Sequence, residues 1–181
     1  MYGIFINAIK AYAIHNEGQQ VWQQVCASAG LEDDFFINSE FYPDPLLENI
    51  LKALVYYSGK TTADLYYHIG YWWALHSVPK LYLGKLEKGV PAYRQFLLDF
   101  PLFINRLSLI YEKLTLTQFR SVNVSEAAID FFHTPYRLKE PRFSEGVLHG
   151  FAALFAVPDE AFSVQQLETE GASFHFRVVF L

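Results

Sequence analysis

Six histidines and one cysteine are the side chains here that could give a lone pair to a metal or move a proton near neutral pH. His68 and His76 flank a double tryptophan. On a helix their directions differ by about 80°, so one could point inward. His149 lies in the run Gly146-Val-Leu-His-Gly150, and His15 and His175 read as surface residues. For each of these, a histidine satisfied by its own packing is the simpler reading. Cys26 is alone, which excludes an intrachain disulfide and a multi-thiolate metal site from this chain. Glu32-Asp33-Asp34 could suggest a cation site, although a solvated acidic turn explains it as well. Phosphate-cradling glycine loops, nucleophile elbows and His-Glu-x-x-His zinc motifs are absent, and nothing asks for an enzyme.

Composition bounds what these residues can serve. The net charge is −5 and Lys and Arg form no stripe, which argues against nucleic-acid binding. Hydrophobic residues make up 52% and aromatics 18% of the 181 residues, so the chain folds, as one domain with two subdomains (about 1–60 helical, about 61–181 helices plus sheet). That much bulky apolar material leaves room for a cavity holding an apolar molecule, or for a densely packed aromatic core. No apolar run is long enough to span a bilayer and the start lacks signal-peptide features, so a cytoplasmic protein is expected.

Periodicity supplies the elements. Met1 to about Asn16 and Gln19 to Ala29 read as helices, the second closed by Gly30. Asp44-Pro45 opens a third, with Asp44 as its cap, and Gly59 ends it. Thr61 with Asp64 resembles a capping box before a helix carrying Leu65, Tyr66, Ile69, Trp72 and Trp73. Pro79 and Gly84 bracket a short helix or turn. Pro91 opens the most apolar helix, where Phe96, Phe100, Phe103, Ile104, Leu107 and Tyr111 share one face. Pro101 predicts a kink or break near Phe100. Then Phe119–Val124 and Ala128–His133 form an antiparallel pair around Ser125-Glu126, and Leu138–Phe155 is helical. Phe162–Leu167 and Phe174–Phe180 are strands on either side of Glu170-Gly171. The order gives an α+β fold.

Met1-Tyr-Gly-Ile, Trp22, Ala29-Gly-Leu-Glu-Asp, Gly70-Tyr-Trp-Trp73, Gln118-Phe-Arg120 and Gly146-Val-Leu-His-Gly150 occur in an order that resembles the heme-nitric oxide/oxygen-binding (H-NOX) family, the gas-sensor domains also found in soluble guanylate cyclases. The resemblance covers nearly the whole chain. It implies an H-NOX-like fold in a stand-alone domain of the bacterial type, a non-enzymatic sensing role, and a histidine kinase or nucleotide cyclase as partner.

Two family features differ. The histidine that holds the iron matches Ile104, beside Asn105, and neither can replace imidazole as a ligand. The propionate-binding Tyr-x-Ser-x-Arg matches His133-Thr-Pro-Tyr-Arg137, which keeps only the arginine. Arg137 could hold a carboxylate bidentately, with His133 assisting when protonated and Arg142 adding a second charge; a surface Arg and His in a turn is the plain alternative. The resemblance therefore implies a hydrophobic, anionic ligand such as a fatty acid or a tetrapyrrole without an axial protein bond. The candidate pocket comprises Ile4, Phe5, Trp73, Phe100, Pro101, Ile104, His133, Arg137 and Arg142. Binding would shift the helical subdomain against the rest. The alternatives are heme held by His68, His76 or His149, and a ligand-free interaction module filled by its own aromatics.

Overall fold

Gly30 and Gly59, at φ of 72° and 67°, end the second and third helices in left-handed backbone that glycine adopts without a Cβ penalty. The computed structural model describes residues 1–81, 86–136, 139–169 and 171–181. Its chain is α+β and divides into two units, Met1–Leu65 and Tyr66–Leu181.

The first unit is built from α1 (Gly3–Asn16), α2 (Gln19–Ala29), α3 (Asp44–Ser58) and the first residues of α4 (Thr62–Trp72). Ile6, Ile9, Tyr12, Trp22, Val25, Ile50 and Leu54 are buried in it. In the acidic turn, Asp34 accepts from Trp22 Nε1 at 2.9 Å and pairs with Lys10 at 2.8 Å, so this carboxylate ties the loop to α1 and α2. The capping at α3 differs from the sequence reading. Pro43 holds the cap position, Asp44 is the first helical residue, and no side-chain cap bond forms. A carboxylate in the first turn still favours the positive end of the helix dipole. At α4, Thr61 Oγ1 accepts from Asp64 N at 3.1 Å and donates to the Asp64 carboxylate at 2.6 Å. The shorter Asp side chain takes the hydroxyl where the usual Glu would reach the backbone.

In the second unit α4 continues into a π-helical turn (Trp73–Ser77) and α5 (Val78–Leu81); the expected bracket at Gly84 lies outside the described residues. Next come α6 (Val90–Leu107), a 3₁₀ turn (Glu112–Leu116), β1 (Gln118–Ser125), β2 (Ala128–Thr134), α7 (Pro141–Leu154), a 3₁₀ turn (Asp159–Ala161), β3 (Phe162–Leu167) and β4 (Phe174–Phe180). Leu138, the expected start of α7, is likewise outside the described residues. The sheet is antiparallel in the order β1-β2-β4-β3. Ile129, Phe131, His133, Phe176 and Val178 fall on one face by strand alternation, and all are buried. Helices α6 and α7 pack against the strands.

The proline in α6 does not break it. The helix runs from Val90 to Leu107 with Pro101 inside. Proline removes the N–H that would bond to the carbonyl four residues back, that of Leu97. The Ser121 hydroxyl of β1 donates to that oxygen at 2.6 Å. A tertiary donor thus replaces the lost helical one, which sequence alone does not reveal. Arg94 makes a second tie, donating to the carbonyls of Glu126 and Ser125 at 3.0 and 2.8 Å around the hairpin turn.

Helix α7 lies backbone-close to α4. A Cβ on Gly146 would overlap the Tyr67 carbonyl, one on Gly70 the Phe143 carbonyl, and one on Gly150 the Tyr71 backbone and Ala74. The two glycine runs in the sequence are therefore the two sides of one crossing.

Candidate functional site

The apolar face of α6 fixes the centre of the second unit. Phe100 is fully buried, with the ring centroids of Trp73, Phe96, Phe103, Phe119, Phe131 and Phe151 between 5.0 and 6.5 Å from its own. Such edge-on and tilted pairs are stabilising beyond their buried area. Trp73 and Phe100 are thus core residues. Pro101 is half-buried and Ile104 is 6% exposed on the same helix. Ile4 and Phe5 sit half-buried on α1 in the first unit.

His133 is a buried residue of β2, not a surface residue in a turn. Its ring stacks on Phe119 at 4.4 Å and 6°, the cross-strand partner in register, and its Nδ1 lies 2.6 Å from Ser144 Oγ on α7. Burial pushes its pKa down to about 3, so the ring is neutral at physiological pH. The expected help from a protonated His133 toward an anion is therefore corrected: it is a neutral link between sheet and helix. Arg142 is also engaged, pairing with Glu145 one turn on and lying 4.7 Å over the Tyr67 ring. Arg137 lies outside the described residues.

The remaining histidines separate by burial. His15, His68 and His76 are exposed, the last against Trp72 at 3.9 Å, so neither histidine beside the double tryptophan points into a core. His149 is half-buried between Tyr67 and Phe162, and burial lowers its pKa. His175, read as surface-facing, is half-buried: its ring stacks on Phe132 at 4.2 Å and its Nε2 lies 3.1 Å from Asp130 Oδ2.

That contact belongs to a cluster the sequence reading missed. Asp130 is 8% exposed and receives Arg177 bidentately at 2.7 and 2.9 Å. The Arg177 hydrogen bonds hold its carboxyl below the usual carboxylate range. Strand alternation had already put His175 and Arg177 on one face; the pairing Asp130↔Arg177 supplies the acid. Ile104 also borders a half-open cleft of about 610 Å³ at the corner where α6 ends and β1 begins. Its wall includes Asn105, Gln118, Phe119, Arg120 and Phe132; the sequence marked Gln118, Phe119 and Arg120 as one motif and Asn105 only as the neighbour of Ile104, and gave no sign that they share a cleft. Among the described residues no group of three or more His, Cys, Asp or Glu is placed to hold a metal ion, and no helix is long and apolar enough to cross a membrane.

Comparison with known proteins gives one consistent picture. The haem-NO-binding family matches residues 2–161. No curated protein matches the chain. Among solved structures, an H-NOX protein from work on H-NOX activation aligns at a TM-score of 0.84 and 18% identity, over 99% of this chain and 96% of its own. An oxygen-binding H-NOX domain related to soluble guanylate cyclases, in its oxygen complex, aligns at 0.79 and 16% identity, over 99% and 95%. An H-NOX protein from S. oneidensis in the Fe(II) ligation state aligns at 0.80 and 16%, over 100% and 96%. At these identities the likeness is one of fold, and it matches the α+β fold expected from the sequence.

Proposed function

The chain belongs to the haem-NO-binding family, whose domains are sensors and not catalysts, and on that premise we propose a sensor domain that has given up histidine-anchored heme. Two positions support this reading. Ile104, where the resemblance puts the iron ligand, is an alkyl group without a lone pair, and the neighbouring Asn105 is exposed. His133, where the family's propionate-binding tyrosine would stand, is buried, neutral and bonded to Ser144. The residues present do not fit a heme held by its iron. Without that bond the family's iron–histidine tension has no anchor, and the response must come from contacts of the ligand itself.

The ligand of this reading is hydrophobic and anionic, a fatty acid or a tetrapyrrole without an axial protein bond, and a histidine kinase or nucleotide cyclase reads its binding. Burial of an apolar body drives association at about 25 cal/mol per Å² before its costs. The observation carrying the proposal is Ile104 on α6. Its test is what co-purifies from heme-replete cells. A lipid or metal-free tetrapyrrole in the denatured sample, with no Soret band, is expected. A Soret band that shifts with nitric oxide would overturn it.

A further inference from the structure

We infer that the cleft beside Ile104 binds a small organic monocarboxylate through Arg120. This deepens the reading above, on which it rests, by giving the ligand's anionic group a partner within the described residues. The cleft's volume of about 610 Å³ falls in the range of small-molecule sites. Its apolar walls are Ile104, Leu114, Phe119 and Phe132, and among the described residues no Asp or Glu lines it.

Among the described residues, Arg120 is the lining residue that carries charge. It projects from β1 beside its register partner Phe132, with its guanidinium carbon 3.8 Å from that ring's centroid. This contact orients the group over an aromatic face while leaving the N–H edge available. Among the described residues no carboxylate pairs with it. The side-chain amides of Asn105 and Gln118, also on the cleft wall, have no protein hydrogen-bond partner among those residues. Among the described residues, these three donor groups thus border a recess that has an apolar side, Ile104, Leu114, Phe119 and Phe132, and no acid. That is the complement of a molecule with one carboxylate and an apolar body. A planar guanidinium takes a carboxylate by two parallel hydrogen bonds, and the amides can donate to the same oxygens. A neutral analogue would leave the charge unanswered, and a cation would be repelled.

Isothermal titration of the purified protein with 1-naphthoate tests this, with 1-naphthalenemethanol as the neutral analogue. Saturable one-site binding is expected, with the alcohol at least about tenfold weaker. Arg120→Gln should weaken naphthoate by about tenfold or more, Arg120→Lys by less, because a point charge remains without the fork. Arg120 and Asn105 are exposed, so Arg120→Gln and the cleft-blocking Asn105→Trp should keep the wild-type circular dichroism while losing affinity. Absence of saturation by naphthoate, equal binding of the alcohol, or unchanged affinity in Arg120→Gln would each overturn the assignment. Such a failure without a Soret band removes the cleft alone. A nitric-oxide-sensitive Soret band removes the reading beneath it.

Discussion

Replacing Ser121 by alanine tests how α6 survives its proline. Leu97 is fully buried, and its carbonyl loses the helical donor at Pro101 and gains the Ser121 hydroxyl at 2.6 Å. Ser121→Ala removes that donor without adding volume. A buried acceptor left unsatisfied costs about 1–3 kcal/mol, so about 2 kcal/mol of stability should be lost. The same substitution made with Pro101→Ala should cost less than about 0.5 kcal/mol, because an alanine in place of the proline would supply the N–H itself. The double-mutant cycle, read from urea unfolding followed by circular dichroism, should give a coupling of about 1.5 kcal/mol. Pro101→Ala alone should stabilise, since an interior proline costs about 3 kcal/mol and the serine offsets only part of it. If Ser121→Ala costs the same in both backgrounds, the hydroxyl does not compensate for the proline.

Two other perturbations follow from the packing. His133 stays neutral in the folded chain down to about pH 3, whereas its ordinary pKa is 6.5. The unfolded chain therefore binds the extra proton between those values. The stability this group contributes is intact above pH 6.5 and is lost as pH falls toward 3, by up to about 5 kcal/mol. Urea midpoints across that window should fall less steeply in His133→Gln, with a residual slope of the same sign from Asp130, whose pKa is lowered; parallel slopes would contradict the assignment. Gly146→Ala should cost about 3 kcal/mol or more, because its Cβ would meet the Tyr67 backbone, which cannot move aside like a side-chain tip. A melting temperature lowered by less than about 3 °C would show that α7 and α4 are not locked at that crossing.

Local order was legible where the residues acting on each other are close in sequence. Gly30 and Gly59 end helices because of their own backbone freedom, and Phe176 and Val178 show their buried face by alternation. The path of α6 through Pro101 was not legible, because the rescuing hydroxyl comes from Ser121 on another element. His133 read as the end of a strand, able to help hold an anion when protonated, with a surface position in a turn as the alternative. Its neutrality comes from burial, and the residues packed against it, Phe119 across the strand pair and Ser144 on α7, are not revealed by its own stretch of sequence. The Asp130 cluster needed the register between β2 and β4. The resemblance located Ile104, but the cleft beside it is assembled from α6, β1 and β2, and no single run of sequence contains it.

Iron is the most direct test of a sensor without an anchoring histidine. The purified protein would be titrated anaerobically with ferrous heme, and its absorption recorded before and after nitric oxide. With Ile104 at the ligand position, the prediction is no Soret band of a protein-coordinated iron and no protein-dependent shift on adding the gas. A stoichiometric band that shifts with nitric oxide and disappears when one histidine is replaced would contradict it.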